Sequence, residues 1–177
     1  MTRVLSATSV LIFSLTLSAC GGSGGGGTVV VEDPHDNFVP ELRAFDIIDS
    51  YYVDTANTND PKLRLSPYLY DGLYEIFWNV NSLEDYRVTL RINDSKNIAG
   101  SLPIYTQICG AGRQCDQAGG WVCEYTTDFY MSCEGSEREV DIYPLVNKMP
   151  QRVYLFVEVC DYNSNYCEYD FYPVTLE

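Results

Sequence analysis

Seven cysteines are the residues of this 177-residue chain whose type and spacing most directly imply chemistry. Six of them lie in the C-terminal half, at Cys109, Cys115, Cys123, Cys133, Cys160 and Cys167. An even number of cysteines in an exported chain predicts disulfides formed in an oxidising compartment. Zinc is the alternative, but it requires closely paired ligands, and the single histidine, His35, lies outside the cluster. The spacings therefore predict three disulfides and no metal, with the pairing left open.

No set of side chains has the arrangement of a catalytic site. A Ser-His-Asp or Cys-His site needs an imidazole held in a packed frame, and His35 lies in a segment that we expect to be a stalk. Redox catalysis favours a CxxC motif at a helix start, and no two cysteines are that close. A carboxylate pair of the glycosidase kind cannot be recognised among 25 acidic residues. We therefore predict that the protein is not an enzyme and assign no catalytic residue.

Two loops rich in oxygen ligands are candidates for calcium. Their residues are Asp54, Asn57, Asn59 and Asp60 in the first, and Asp161, Asn163 and Asn165 in the second. The second run has Tyr166 where an EF-hand has its glycine, and Tyr172 where it has its closing glutamate. Asp and Asn are also the residues that ordinary turns prefer. We predict turns without a cofactor, with calcium as the open alternative.

Tyrosine is in excess, at 15 residues, and many of these lie in clusters. Aromatic side chains on a rigid β scaffold bind sugars or protein partners at low entropic cost. The alternative is that strands simply favour tyrosine. Tyr162 and Tyr166, in a turn that a disulfide would brace, are the residues that we predict to contact a partner.

The net charge of -14 limits the partners further. Nucleic-acid binding requires a basic surface, so a nucleic-acid partner is excluded. Adsorption to anionic lipid is disfavoured for the same reason. The charge fits either a soluble surface or a cationic partner.

The N-terminus has the layout of a secretory signal, with Arg3 before an apolar run from Val4 to Leu17. The run ends in Leu17-Ser18-Ala19-Cys20, which resembles the lipobox of bacterial lipoproteins. That resemblance implies cleavage before Cys20, acylation of Cys20, and anchoring by lipid. Gly21 after the lipid site resembles lipoproteins sent to the outer membrane, facing the periplasm or the exterior. An ordinary signal peptide with an incidental cysteine is the alternative.

The organisation that follows is a signal peptide (1–19), an acylated Cys20 with a glycine-rich tether (20–40), and one domain (41–177). Residues 21–27 are six glycines and one serine, which form flexible coil. Val29-Val30-Val31 is the one part of the tether that also fits an edge strand.

Alternation of apolar and polar residues predicts strands in the domain. The first two carry Tyr74, Ile76, Trp78 and Val80, and then Tyr86, Val88, Leu90 and Ile92. With the turn-like segment 81–85 between them, we expect Glu75 to share the outer face with Arg87 and Arg91.

Two further hairpins follow, 121–125 with 130–134 and 153–160 with 167–176. They would place Cys123 near Cys133 and Cys160 opposite Cys167, which leaves Cys109 for Cys115. This nearest-neighbour pairing is the one that we prefer.

Two segments resemble a fibronectin type III or related immunoglobulin-like sandwich. Leu73–Trp78 followed by Tyr86–Leu90 is similar to that family's second and third strands, and Tyr154–Val159 to its penultimate strand. The segment from Asn97 to Pro150, rich in Cys and Gly, departs from the pattern and is expected to be a disulfide-rich insertion. The resemblance implies an all-β adhesion or scaffold fold and assigns no function.

The sequence therefore predicts a lipid-anchored envelope protein with a non-catalytic binding or structural role. Its partner would be a protein or glycan of the envelope. A carbohydrate-binding module for glycan or peptidoglycan, and a proteinaceous inhibitor of an envelope hydrolase, are the alternatives.

Overall fold

The computed structural model describes residues 39–134, 138–164 and 166–177, and in these ranges the chain is all-β. The signal peptide, Cys20 and the tether up to residue 38 lie outside the described residues, as do Val29-Val30-Val31 and Asn165. The strands are β1 (Glu41–Ile48), β2 (Leu63–Leu65), β3 (Leu73–Asn81), β4 (Tyr86–Asn93), β5 (Leu102–Cys109), β6 (Ala118–Tyr125), β7 (Tyr130–Cys133), β8 (Val140–Asp141), β9 (Gln151–Asp161) and β10 (Cys167–Leu176). Within the described ranges, no helix has the length and hydrophobicity that a membrane span requires.

The strands form two five-stranded sheets in a sandwich-like arrangement. One sheet has the order β1-β3-β6-β7-β8 and the other β2-β10-β9-β4-β5. The apolar residues that alternate along β3 and β4 are all buried, so the predicted strand faces are confirmed. They pack into a shared core with apolar residues of β9, including Val157.

The expected pairing of β3 with β4 is wrong. β3 pairs with β1 and β6, whereas β4 pairs with β5 and β9 in the other sheet. Both strands point their apolar faces into the same core, so the segment between them turns a corner instead of closing a hairpin. Consequently Glu75 does not share a face with the two arginines, and the Nη1 atom of Arg91 instead lies 3.1 Å from the Oε2 atom of Glu158 on β9.

The predicted pairing of the cysteines is confirmed. Disulfides join Cys109 to Cys115, Cys123 to Cys133, and Cys160 to Cys167. The second and third bridges link residues that lie directly opposite each other in the β6–β7 and β9–β10 ladders. The Cys-rich segment expected as an insertion supplies β5 to one sheet and β6, β7 and β8 to the other.

Two adjacent glycines let β6 lie against the large aromatic side chains of β3. Gly119 and Gly120 are opposite Trp78 and Phe77. A Cβ atom on Gly119 would lie 2.3 Å from a ring carbon of Trp78, which is far closer than such contacts allow. The space left by the missing side chain therefore holds the Trp78 ring, which packs against Trp121 with centroids 4.2 Å apart and ring planes tilted by 47°.

The loops fall at two ends of the sandwich. The described chain enters at Glu41, opposite Asn81, and segments 82–85, 110–117 and 161–164 lie at this same end, which we call the entry end. Segments 49–62, 66–72 and 126–129 lie at the opposite end, which we call the far end. The eight residues of β1 connect the two ends, a length of about 26 Å.

Candidate binding site

Two exposed tyrosines meet at the far end. Tyr52 and Tyr70 are 63% and 56% exposed although they contact each other. Their ring centroids are 4.3 Å apart and the ring planes meet at 79°. The pair therefore forms an aromatic corner that faces solvent.

The backbone that carries these rings is in an uncommon conformation. Tyr52, Tyr70 and Asp71 have φ angles of 58°, 48° and 57°, in the left-handed region that side chains with a Cβ atom avoid. Such residues cost about 1–3 kcal/mol each and persist only where the surroundings impose them. Next to them, Gly72 lies so close to β6 that a Cβ atom would be 2.0 Å from the carbonyl oxygen of Tyr125. The loop that carries Tyr70 is thus packed tightly against the end of β6.

A buried carboxylate holds the loop that carries Tyr52. Asp49 accepts hydrogen bonds at Oδ1 from the backbone N–H groups of Tyr51 and Val53, both at 2.8 Å. Its Oδ2 accepts from the N–H of Arg64 at 2.7 Å. The hydroxyl of Ser50 donates to the carbonyl oxygen of Leu73 at 3.1 Å. These bonds tie the loop that carries Tyr52 to β2 and to the start of β3, just after Tyr70.

A cleft of about 220 Å³ opens beside the tyrosine pair. It is lined by Ile48, Asp49, Tyr52, Tyr70, Asp71, Leu73, Tyr74, Glu75 and Val122. The carboxylate of Asp49 already accepts hydrogen bonds from the loop backbone. The lining carboxylates that do not hold the loop in this way are those of Asp71 and Glu75. Partial desolvation, with the nearby Tyr70 and Glu75, raises the pKa of Tyr52. The lining combines aromatic faces with negative charge, and none of these described residues is Lys or Arg.

Tyr162 and Tyr166, the binding residues expected from the sequence, lie at the entry end, away from this cleft. They are 52% and 66% exposed, in the loop that the Cys160–Cys167 disulfide closes. The backbone N–H of Tyr162 donates to the carbonyl oxygen of Asp85 at 3.3 Å, and the Asp85 carboxylate forms an ion pair with Arg113. The structure therefore offers two separate tyrosine surfaces, one at each end.

One carboxylate in each of the two candidate calcium loops accepts turn hydrogen bonds. Asp54 accepts from the N–H of Ala56 and from the side chain of Asn57. Asp161 accepts from the N–H groups of Asn163 and Ser164. These are the contacts expected of Asx turns.

Glu158, Cys160 and Cys167 also bring potential metal ligands together among the described residues. Both sulfurs of this group are in a disulfide, and a disulfide sulfur is not the thiolate that binds metals.

The sequence did not indicate the Tyr52–Tyr70 cleft as a site, although both tyrosines stood out as members of clusters. The local signal was weak: Tyr70 is followed by Asp71 and Gly72, whereas Tyr52 lies between Tyr51 and Val53. Comparison of the chain with protein-family models and with curated proteins finds no match. The site must therefore be interpreted from its own geometry.

Proposed function

We propose that this protein is a lipid-anchored, non-catalytic binding protein of the bacterial envelope, held at the outer membrane by acylated Cys20. The likeness of Leu17-Ser18-Ala19-Cys20 to a lipobox supports the anchor. The three disulfides support an oxidising compartment outside the cytoplasm.

The observation that carries the binding role is the exposed Tyr52–Tyr70 corner on a fixed backbone. Exposed aromatic side chains that are already held in place lose little conformational entropy on binding, and such residues dominate the energy of recognition surfaces. They lie at the far end, whereas the described chain begins at the entry end.

A second candidate is inhibition of an envelope hydrolase through the loop at the entry end. This loop is braced by Cys160–Cys167 and exposes Tyr162 and Tyr166, which favours a rigid protein contact. A glycan-binding module stays a further candidate. The perpendicular Tyr52–Tyr70 pair does not supply the coplanar aromatic surface that a sugar ring would favour.

We also propose that the sandwich is of the fibronectin type III or immunoglobulin kind. In immunoglobulin domains the second and third strands lie in different sheets, and β3 and β4 do so here.

The anchor is tested by replacing Cys20. Because stable anchoring depends on acyl chains, Cys20→Ser should release the protein from membranes or block its processing, whereas Ser23→Ala should leave it in the membrane fraction. A correctly cleaved Cys20→Ser protein that stays in the membrane pellet without detergent would contradict the anchor.

The binding role is tested by capture of envelope components on the full chain. Tyr52→Ala with Tyr70→Ala, and Tyr162→Ala with Tyr166→Ala, form a matched pair of double variants, one for each end. We expect the far-end variant to lose the captured partner. Loss only with the entry-end variant would favour the second candidate, and no specific capture by the unaltered protein would oppose a binding role.

A further inference from the structure

We infer that the Tyr52–Tyr70 cleft binds an organic cation, a guanidinium or alkylammonium group, between the tyrosine corner and the carboxylates of Asp71 and Glu75. This inference rests on the proposed binding function and names the chemistry of its ligand. It starts from the lining, which combines two exposed aromatic rings and two carboxylates with no described basic residue.

The same loop already holds a cation in this way at the neighbouring residue. The guanidinium carbon of Arg64 lies 3.7 Å from the centre of the Tyr51 ring. Its Nη1 atom is 3.8 Å from Oε1 of Glu177, and the Tyr51 hydroxyl donates to Oε2 of Glu177 at 2.6 Å. A tyrosine face and a carboxylate thus hold a partly exposed guanidinium group in this protein. One residue further on, the Tyr52 ring lies in the cleft with the carboxylates of Asp71 and Glu75, so the same two kinds of group occur there.

The shape of the cleft favours a small cationic group over a ligand that needs a broad aromatic surface for stacking. Because the two rings meet at 79°, they form a corner with no common plane on which a sugar ring could stack. A compact cation can contact a ring face in that corner, attracted by the negative charge of the π-electrons. The net charge of -14 adds a favourable field for any positively charged ligand.

Because the walls of the cleft are already held in place, even a weak attraction to a cation can give measurable binding. The loop hydrogen bonds to Asp49 and the left-handed backbone at Tyr70 and Asp71 hold the walls before the ligand arrives. Binding then does not need to order them, so most of the attraction contributes to affinity.

The test uses the full chain purified in detergent and follows the tyrosine ring signals by NMR during titration. The probes are methylguanidinium and methylurea, which have nearly the same shape and differ in charge. We expect methylguanidinium to shift the signals of Tyr52 and Tyr70 and methylurea to leave them unchanged, with an effect that weakens as salt is added. Equal shifts from both probes, or no shift from methylguanidinium, would overturn the inference. N-acetylglucosamine shifting these signals while methylguanidinium does not would also overturn it, in favour of a glycan.

Variants separate the roles of ring and charge. Glu75→Gln keeps the side-chain size and should weaken methylguanidinium binding about two- to fivefold. Tyr70→Phe keeps the ring and should retain binding, and Tyr162→Ala with Tyr166→Ala should not affect it. If Glu75→Gln bound methylguanidinium as tightly as the unaltered protein, the Glu75 carboxylate would not be part of the site. This conclusion does not depend on whether the alanine variants are stable.

The source of the cation is distinguished by a third probe, N-acetylarginine N-methylamide, which presents the same group on a peptide backbone. Tighter binding of this probe than of methylguanidinium indicates a basic side chain of a protein, and equal or weaker binding indicates a small cationic ligand. If no cation binds while envelope capture by the full chain persists, the binding function stands and only the cation site fails.

Discussion

Asp49 is the residue on which we expect the far end of the sandwich to depend most. Its buried carboxylate accepts three backbone hydrogen bonds, from Tyr51, Val53 and Arg64. Asp49→Asn keeps the shape of the side chain but replaces one acceptor oxygen with an NH2 donor. If the amide oxygen continues to serve Tyr51 and Val53, the NH2 group faces the N–H of Arg64. If the amide is reversed, two backbone groups lose their acceptor instead.

The cost follows from the better of these two orientations. In that orientation the Asp49→Asn variant loses one hydrogen bond to a charged acceptor, worth about 1.5–3 kcal/mol. It also leaves two N–H donors facing each other in a buried site. We expect the free energy of unfolding to fall by about 2–3 kcal/mol. For a domain of roughly 140 residues this lowers Tm by about 7–10 °C.

Thermal unfolding followed by circular dichroism measures this shift. Near-UV circular dichroism of the folded protein reports whether the tyrosine environments change with it. Asp128→Asn is the matched control, because Asp128 is exposed at the same end and should alter stability by less than about 0.5 kcal/mol. A Tm for Asp49→Asn that equals that of the control would refute the structural role assigned to Asp49.

Three further predictions concern the disulfides, the buried tyrosines and the glycines of β6. Cys160→Ser with Cys167→Ser opens a loop of about eight residues and should lower stability by about 2.5 kcal/mol in denaturant titration, while methylguanidinium binding at the far end persists. Burial raises the pKa of Tyr125 to about 12, above the ordinary 10.0, and also raises the pKa of Tyr74. The unfolded chain therefore releases these protons first, so the contribution of these two tyrosines to stability should be constant below about pH 9 and should be lost as the pH rises through 10 toward 12. Ultraviolet difference spectra of tyrosine ionisation and unfolding curves would show this loss. Gly119→Ala should destabilise the fold by about 1–3 kcal/mol, because the new methyl group meets Trp78, and a near-UV spectrum and Tm like those of the unaltered protein would contradict this packing.

The elements that sequence could predict are those specified by local patterns. In residues 73–81 every second residue is buried and those between are exposed or half-buried, and a two-residue period alone is enough to identify such a strand. The cysteine pairs were also local, because each bridge spans a short segment and two of them span hairpins. β5 was harder to recognise, since it is an edge strand with Pro103 near its start and only one neighbour in the sheet.

The error at β3 and β4 shows what alternation does not determine. A two-residue period fixes which side chains point inward, but a hairpin within one sheet and a corner between two sheets satisfy it equally well. The choice depends on whether the strands' apolar faces meet side by side or across the core. Here β6 with its two glycines takes the position beside β3, and β9 takes the position beside β4.

The cleft was beyond sequence reasoning for a related physical reason. Tyr52 and Tyr70 are brought together by contacts between distant parts of the chain, namely Asp49 with Arg64 and Ser50 with Leu73. Both tyrosines also adopt φ angles that oppose their local preference, so local propensity predicts against the conformation that builds the site.

The unfavourable φ angles of these tyrosines also bear on the proposed function. Three non-glycine residues in the left-handed region around one cleft are costly, and neighbouring contacts such as those of Asp49 must compensate for that cost. A loop selected for stability alone could place Gly or Asn at these positions and avoid the strain. Tyrosine at two of them places large, mostly exposed rings in contact with each other at the cleft. The cation that we propose would contact those faces, and the titration with methylguanidinium and methylurea tests whether it does.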